Sequence, residues 1–329
     1  MTPLPVAYVL PLRWQDDAGL DELTTYLDWL HRHVDVTVVD GSAPALFARH
    51  AARWDGLVHH LPPDADLRYA NGKVNGVVTG IRLARHEHVV IADDDVRYDR
   101  AGLESVHRLL DTADLVRPQN FFAPLPWHAR WDSARSLLNR AVGGDYPGTL
   151  GVRRSTFEAV GGYDGDVLFE NLELIRTVRA GGGVEARRAD LYVRRLPPDA
   201  GRFWAQRVRQ AYDDLAQPVR MAAFLSVLPA VALAVRKRRP DRVLVAAAIA
   251  VAVAETGRRR AGGTQVFPAV AALMAPVWVM ERGVCSWIAL AMWASGRGVR
   301  YGGRRLRTAA NTERALNRRL TARQCRERR

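Results

Sequence analysis

In the first third of the chain, short apolar runs alternate with stretches whose apolar residues recur at helical spacing. This alternation restricts the chain more than any other feature. The apolar runs are residues 6–12, 34–39, 56–61, 88–92 and 115–117, and helical patterns fill 20–33, 43–52, 71–84 and 102–110. Leu20, Leu23, Tyr26, Leu27 and Leu30 show the helical period plainly. Strands that alternate with helices predict an α/β fold, a mostly parallel sheet covered on both faces. Ligands of such sheets sit at the carboxyl ends of the strands, so polar residues just after a strand are the first candidates for function.

The pattern changes after Pro218. Residues 221–235, 243–254, 261–280 and 283–296 carry no charge and are broken by Arg clusters. Only the third reaches the roughly 20 residues that span a bilayer, and the others would need tilt or snorkelling Arg. A buried core helix is the alternative for any one of them; together they predict membrane contact. The positive-inside rule keeps the basic clusters at 236–242 and 258–260 and the tail cytoplasmic. One arrangement makes 261–296 a hairpin turning near Glu281-Arg282, with the first two segments re-entrant or interfacial; three ordinary spans are the alternative. The N-terminal residues are apolar but lack a basic leader and a cleavage site, which predicts a cytoplasmic start. The expected organisation is a domain over 1–216, hydrophobic helices over 217–296 and an Arg-rich tail over 297–329.

Charge follows the same division. The net charge is +13 over 329 residues, yet the last 33 hold 12 Arg against 2 Glu, which leaves only +3 for the rest. Such a tail suits anionic lipid or nucleic acid. Tyr301 is its only aromatic residue, so lipid phosphate is the better partner and no nucleic acid is expected. A solvated helix over 309–320 is the plainer reading. Only two of the 48 basic residues are Lys, so Lys73 stands out as a place for a compact ammonium. The two cysteines, Cys285 and Cys325, exclude a disulfide framework and a four-cysteine zinc site.

Four segments carry candidate chemistry. Asp93-Asp94-Asp95 ends the run His88-Val89-Val90-Ile91-Ala92. Three adjoining carboxylates repel one another unless a cation sits among them, and an oxygen-only set suits Mg²⁺ or Mn²⁺ bearing a diphosphate. An acidic cap for the next helix is the competing reading. Asp40 closes a β-branched run at Asp-Gly-Ser, where it can accept from a base or ribose; Asp-Gly also simply ends many strands. Asn71-Gly72-Lys73-Val74-Asn75-Gly76 opens a helical pattern, either as an anion-facing entry or as an ordinary cap. Glu170, with Glu173 and Leu174 at helical spacing, is a candidate general base or a capping acid.

The order Val-Asp-Gly-Ser, Asp-Asp-Asp, Gly-Gly-Tyr, Glu-Asn-x-x-Leu and Gln-x-x-Arg resembles the family 2 glycosyltransferases over about residues 5–215. The Asn-Gly-Lys-Val-Asn-Gly segment and the hydrophobic stretches that follow resemble the membrane-bound ceramide-glucosyltransferase-like branch. The resemblance implies a GT-A nucleotide-sugar-binding fold. It implies an inverting, metal-assisted transfer from a nucleotide sugar to an acceptor hydroxyl, at the cytoplasmic side of the cell membrane. By the same resemblance Asp93 and Asp95 bind the metal, with Asp95 the direct ligand. Asp40, Lys73, Asp94, Gly151 and Arg153 lie on the donor side, and Gln206 and Arg209 lie over donor and acceptor. The adjoining hydrophobic segments suggest a lipid or lipid-linked acceptor.

Two positions depart from the pattern. Asn171 stands where the family carries the Asp expected as base, and an amide cannot take up a proton at neutral pH. Glu170 or another carboxylate then supplies the base, or the chain is impaired and serves as a membrane scaffold. Gln210 replaces a Trp, which favours single addition over polymerisation. A sugar-phosphate nucleotidyltransferase is a further alternative, but Leu10-Pro11-Leu12-Arg13-Trp14-Gln15 lacks the glycines of that class.

Overall fold

The computed structural model describes residues 2–301 and 303–327. Strands β1 (Val6–Leu12), β2 (Asp35–Asp40), β3 (His59–Leu61) and β4 (His88–Ala92) alternate with helices α1 (Leu20–Leu30), α2 (Pro44–Trp54) and α3 (Gly72–Leu83). Next come β5 (Val96–Arg97), α4 (Arg100–Leu110), β6 (Leu115–Phe122), α5 (Trp127–Val142), β7 (Thr149–Arg153), α6 (Arg154–Val160), α7 (Glu170–Ala180) and β8 (Glu185–Arg195). The sheet order is β3-β2-β1-β4-β7-β6-β8-β5. The first four strands pair in parallel; β7 is antiparallel to both β4 and β6, and β5 is antiparallel to β8.

Alternation along β1 builds two cores. Val6, Tyr8 and Leu10 face Leu23, Leu27 and Leu30 of α1 and Leu103, Val106 and Leu110 of α4. Ala7 and Val9 face Val74, Val77 and Ile81 of α3 and Leu174, Ile175 and Val178 of α7. Period-two alternation between two apolar faces is what a sheet covered on both sides requires.

Helix α3 lies unusually close to the sheet. A Cβ on Gly80 would fall 2.3 Å from Val9 Cγ1, and one on Gly76 would fall 2.8 Å from Pro11 Cβ. These two glycines let α3 press on β1, and its first turn, with Lys73, therefore meets the carboxyl edge of the sheet. Asn71 caps that turn by accepting from the Lys73 backbone N–H at 3.1 Å.

The remainder differs from the sequence-based expectation. After α8 (Ala200–Asp213) and a 3₁₀ turn, α9 (Pro218–Arg236) and α10 (Pro240–Arg259) follow the first two apolar segments. Among the described residues, α9 is the one helix long and apolar enough to cross a membrane. The third segment is not a span. A 3₁₀ turn at Arg260–Gln265, with Ala261 and Gly262 at φ 50° and 73°, precedes the short α11 (Ala269–Leu273), and α12 (Ala275–Ala294) begins at a second break. Pro268 and Pro276 punctuate these breaks, because proline cannot continue a helix from within. The expected hairpin turn at Glu281-Arg282 is instead the middle of α12, where Arg282 is buried against Asp214 at 3.5 Å.

These helices pack on the α/β domain. A Cβ on Gly257 of α10 would fall 1.9 Å from the Leu137 carbonyl of α5, and Arg140 donates to the Gly257 carbonyl at 3.0 Å. The basic tail is not free either. It forms the hairpin β9 (Val299–Tyr301) and β10 (Arg304–Leu306), then α13 (Glu313–Glu327), which lies on α7. Asn311 ties it down by donating twice to Glu173, each at 2.7 Å.

Candidate functional site

The polar residues after β4 meet the start of α3, the start of α7 and the end of β8. Lys73 Nζ lies 2.5 Å from Asp93 Oδ1 and 2.6 Å from Glu170 Oε1, and donates to Asn171 Oδ1 at 3.3 Å. Arg195, from β8, donates through Nε to both Asp95 oxygens at 2.8 Å and through Nη2 to Asp93 at 3.1 Å. The backbone is correspondingly crowded. A Cβ on Gly148 would fall 2.6 Å from Asp93 Oδ2, and the Asp93 N–H donates to the Gly148 carbonyl at 2.9 Å. Asp94 faces the other way and accepts from the Trp14 indole.

The charges tune one another. Burial would raise the Asp93 carboxyl, but Lys73 and Arg195 hold it below its ordinary value. Burial also acts on Asp95, where the repulsion of Asp93 and Asp94 adds to it, and its carboxyl is pushed up to about 6 despite Arg195. Burial disfavours the Lys73 ammonium, yet Asp93 and Glu170 overcome this and raise it above the ordinary lysine range. Burial raises Glu170, against the pull of Lys73.

A cavity of about 190 Å³ continues from these carboxylates into the space between α5, α8 and α12. Gln206 and Arg209 line it from α8, with Asp213 one turn beyond Arg209 on the same helix. The Arg209 guanidinium lies over the Tyr301 ring at 5.4 Å, and Tyr301 forms a wall that β9 contributes. A second opening, toward Arg13, Gln15 and Gly72, is lined also by Lys73 and Asp94 and shares Asp93, Glu170, Arg209 and Tyr301 with the first.

The structure thus gathers Lys73, Asp93, Asp94, Asp95, Glu170, Asn171, Gln206 and Arg209 at one place. Gly151 and Arg153 are not there. Strand β7 runs antiparallel to β4, pairing Thr149 with Ala92 and Arg153 with His88, so it leads away from the carboxylates. A Cβ on Gly151 would meet Val106 of α4 at 2.6 Å, and Arg153 pairs with Glu87 at 3.5 Å. Gly148, just before β7, takes the place expected for Gly151.

Asp40 is also withdrawn from the cavity. It is fully buried and accepts from His50 at 2.6 Å, His60 at 3.1 Å and the Ser42 N–H at 2.8 Å. Burial alone would raise its carboxyl, but hydrogen bonds from His60, Ser42 and His50 hold it at about 2.

Two groups of residues could hold a divalent cation. Asp93 and Asp95 offer oxygens at the cavity, the hard donor set that suits Mg²⁺ or Mn²⁺. Asp40, His50 and His60 bring three ligand atoms within 4.8 Å of one another, in a buried mixed nitrogen and oxygen set that suits transition metals. Sequence reasoning missed Arg195, Asp213, Arg282 and Tyr301. Only Asp213 left a local signal, its place seven residues after Gln206 on one helix face.

No protein-family model matches the chain. Over 135 residues, 38% of this chain and 70% of the relative, it is 31% identical to the molybdenum cofactor guanylyltransferase of Pseudomonas entomophila (strain L48). Its structure is similar to that of the mannosyltransferase PcManGT from Pyrobaculum calidifontis in complex with GDP-Man and Mn²⁺. That likeness has a TM-score of 0.50 and 22% identity, and covers 87% of this chain and 89% of the other. It is more distantly similar to glucosyl-3-phosphoglycerate synthase from Mycobacterium tuberculosis in complex with Mn²⁺, UDP and phosphoglyceric acid. There the TM-score is 0.43 and the identity 17%, over 61% of this chain and 73% of the other. The fold of this chain is the GT-A type.

Proposed function

We propose that this chain, which belongs through a 135-residue stretch to the family of the Pseudomonas guanylyltransferase and has the fold of the Pyrobaculum mannosyltransferase, is a glycosyltransferase. It moves a sugar from a nucleotide-sugar donor to an acceptor hydroxyl. The observation that carries this reading is the single cavity joining Asp93 and Asp95 to Gln206, Arg209 and Asp213. One end offers carboxylates for a diphosphate, with Lys73 lining the opening that adjoins it; the other is a chamber for the acceptor.

A divalent cation, Mg²⁺ or Mn²⁺, held by Asp93 and Asp95 would neutralise charge on the leaving diphosphate. Lys73 adds a fixed ammonium at the same point, and Arg209 closes the cavity over the donor. Asp40 shapes the end of β2 beside the nucleotide, and Asp94 orients Trp14 at the mouth. Asn171 holds Lys73 and donates to the Pro147 carbonyl at 3.0 Å, so the base is one of the cavity's carboxylates. The displacement is single and inverts the anomeric centre.

The acceptor is lipid-linked and the protein acts at a membrane surface from the cytoplasmic side. Val219 and Val235 of α9 and Leu244, Val245 and Ile249 of α10 are exposed, and exposed apolar side chains grouped on two successive helices suit contact with a membrane. The Arg-rich surface of the C-terminal segment adds attraction for anionic headgroups.

The guanylyltransferase likeness favours a second reading, nucleotidyl transfer. Both reactions need a nucleotide with its phosphates neutralised; they differ in whether the anomeric carbon or the α-phosphorus is attacked. No stretch of 135 residues includes both Lys73 and Tyr301, so that likeness leaves part of the site without a counterpart. The deciding experiment titrates detergent-solubilised protein with UDP-, GDP- and TDP-sugars, with and without Mn²⁺, and analyses the products. Metal-dependent binding of one donor and release of nucleoside diphosphate support sugar transfer. Pyrophosphate release from a nucleoside triphosphate supports the second reading. Folded protein that binds no donor supports the scaffold reading.

A further inference from the structure

The carboxylates of the cavity differ in how they are engaged. Asp93 is held by Lys73 and Arg195, and Asp95 by Arg195. Asp132 pairs with Arg207 at 3.0 Å, and Asp214 with Arg220 at 2.8 Å. Glu170 is clamped by Lys73, which ties it to Asp93 on the donor side. Glu170 Oε2 and Asp214 Oδ2 are also buried without a hydrogen-bond partner among the described residues, but each of those carboxylates holds an ion pair through its other oxygen. Asp213 is different: its Oδ1 is buried in the cavity wall without a hydrogen-bond partner, and its carboxylate makes no ion pair among the described residues. A buried carboxylate oxygen left unpartnered is costly unless something that donates a hydrogen bond comes to it.

We propose that Asp213 is the carboxylate that accepts the proton of the attacking acceptor hydroxyl. The inference rests on the sugar-transfer reading above. Asp213 occupies the last turn of α8, one turn after Arg209 and two after Gln206, so one helix face carries all three into the chamber. As the acceptor oxygen forms its bond to the anomeric carbon, its proton passes to Asp213 Oδ1. The bond from that carbon to the diphosphate oxygen breaks, and its electron pair leaves on the nucleoside diphosphate. Asn171, whose side-chain oxygen accepts from Lys73, then needs no proton-accepting oxygen.

The electrostatics agree with the geometry. Burial raises the Asp213 carboxyl, Arg209 and Arg282 lower it, Asp214 and Glu170 raise it, and the balance leaves it at about 7. A base is most effective when its pKa lies near the working pH.

The test uses full-length protein in detergent, the same panel of nucleotide sugars with Mn²⁺, and water as the acceptor probe. Donor affinity and nucleoside diphosphate release are measured for the wild type, Asp213→Asn and Asp213→Glu between pH 5 and 9. Asp213→Asn should keep donor affinity within about twofold and slow release by about 10²-fold or more, the range of a lost general base. The wild-type rate should climb through neutral pH while the Asn variant stays flat, and Asp213→Glu should recover part of the rate. An Asp213→Asn variant with wild-type rate and pH profile overturns the assignment. So does one that melts normally but no longer binds donor, which makes Asp213 a positioning residue. A wild type that binds and turns over no donor overturns the sugar-transfer reading itself and this inference with it.

Discussion

Lys73 Nζ stands 2.5 Å from Asp93 Oδ1, so an ammonium from the start of α3 rests on the first of three carboxylates that end β4. Close helix-to-sheet packing at Gly76 and Gly80 sets that distance, and the same ammonium reaches Glu170 and Asn171. A flat guanidinium cannot serve three groups packed around one point. Lys73→Arg should therefore lower nucleotide-sugar affinity about tenfold, ~1.4 kcal/mol, in calorimetric titrations. Unchanged affinity would mean that only the charge matters.

Arg195 bridges Asp93 and Asp95, the residues offered to a divalent cation. A resident guanidinium repels an incoming dication. Arg195→Gln should tighten Mn²⁺ binding in the absence of donor by about tenfold, ~1.4 kcal/mol. Electron paramagnetic resonance of free Mn²⁺ reads this directly. Weaker binding in the variant would show that Arg195 orients the carboxylates for the ion.

Asn171 donates to the Pro147 carbonyl and accepts from Lys73, using both ends of its amide. Asn171→Asp loses the donor and sets a carboxylate oxygen against a carbonyl oxygen, a loss of about 1–3 kcal/mol. Thermal denaturation should report the loss, and the transfer rate should not rise. A faster Asn171→Asp enzyme would mean that the position still serves as the base site and would count against Asp213.

Asp40 is held at about 2, against 3.8 for a free carboxyl. A depressed carboxyl stabilises the fold above its unfolded value, and this contribution fades as pH falls through its folded value. The shift corresponds to about 2 kcal/mol. Urea denaturation of wild type and Asp40→Asn should therefore show a stability gap that is full at pH 5 and shrinks steadily as pH falls from about 4 to about 2. A gap independent of pH would place the cluster's contribution in packing alone.

The first half of the sheet was legible because its strands and helices differ in period. The observed β1, α1, α3 and β4 fall within a few residues of the patterns read from the sequence. β8 was not legible: Glu-Ala-Arg-Arg-Ala-Asp-Leu-Tyr-Val-Arg-Arg has few apolar residues, because most of its side chains are only partly buried. Arg195 escaped notice with it. The misplacement of Gly151 arose from direction. Motif order gives position along the chain, not which end of an antiparallel strand meets the site, and Gly148 occupies the end that does. Glu281-Arg282 looked like a polar turn between apolar runs. A buried Arg paired with Asp214 produces the same pattern inside a continuous helix.

Tyr301 walls the cavity, and Asn311 fastens the segment behind it to Glu173 of α7. During synthesis the ribosome releases the whole eight-stranded sheet, with its carboxylates, well before it reaches either residue. Until the C-terminal hairpin emerges, Tyr301 cannot wall the pocket that Asp93 and Glu170 line. The enclosed pocket is therefore assembled only after synthesis has passed Tyr301 and Asn311, long after the last strand of the sheet has emerged.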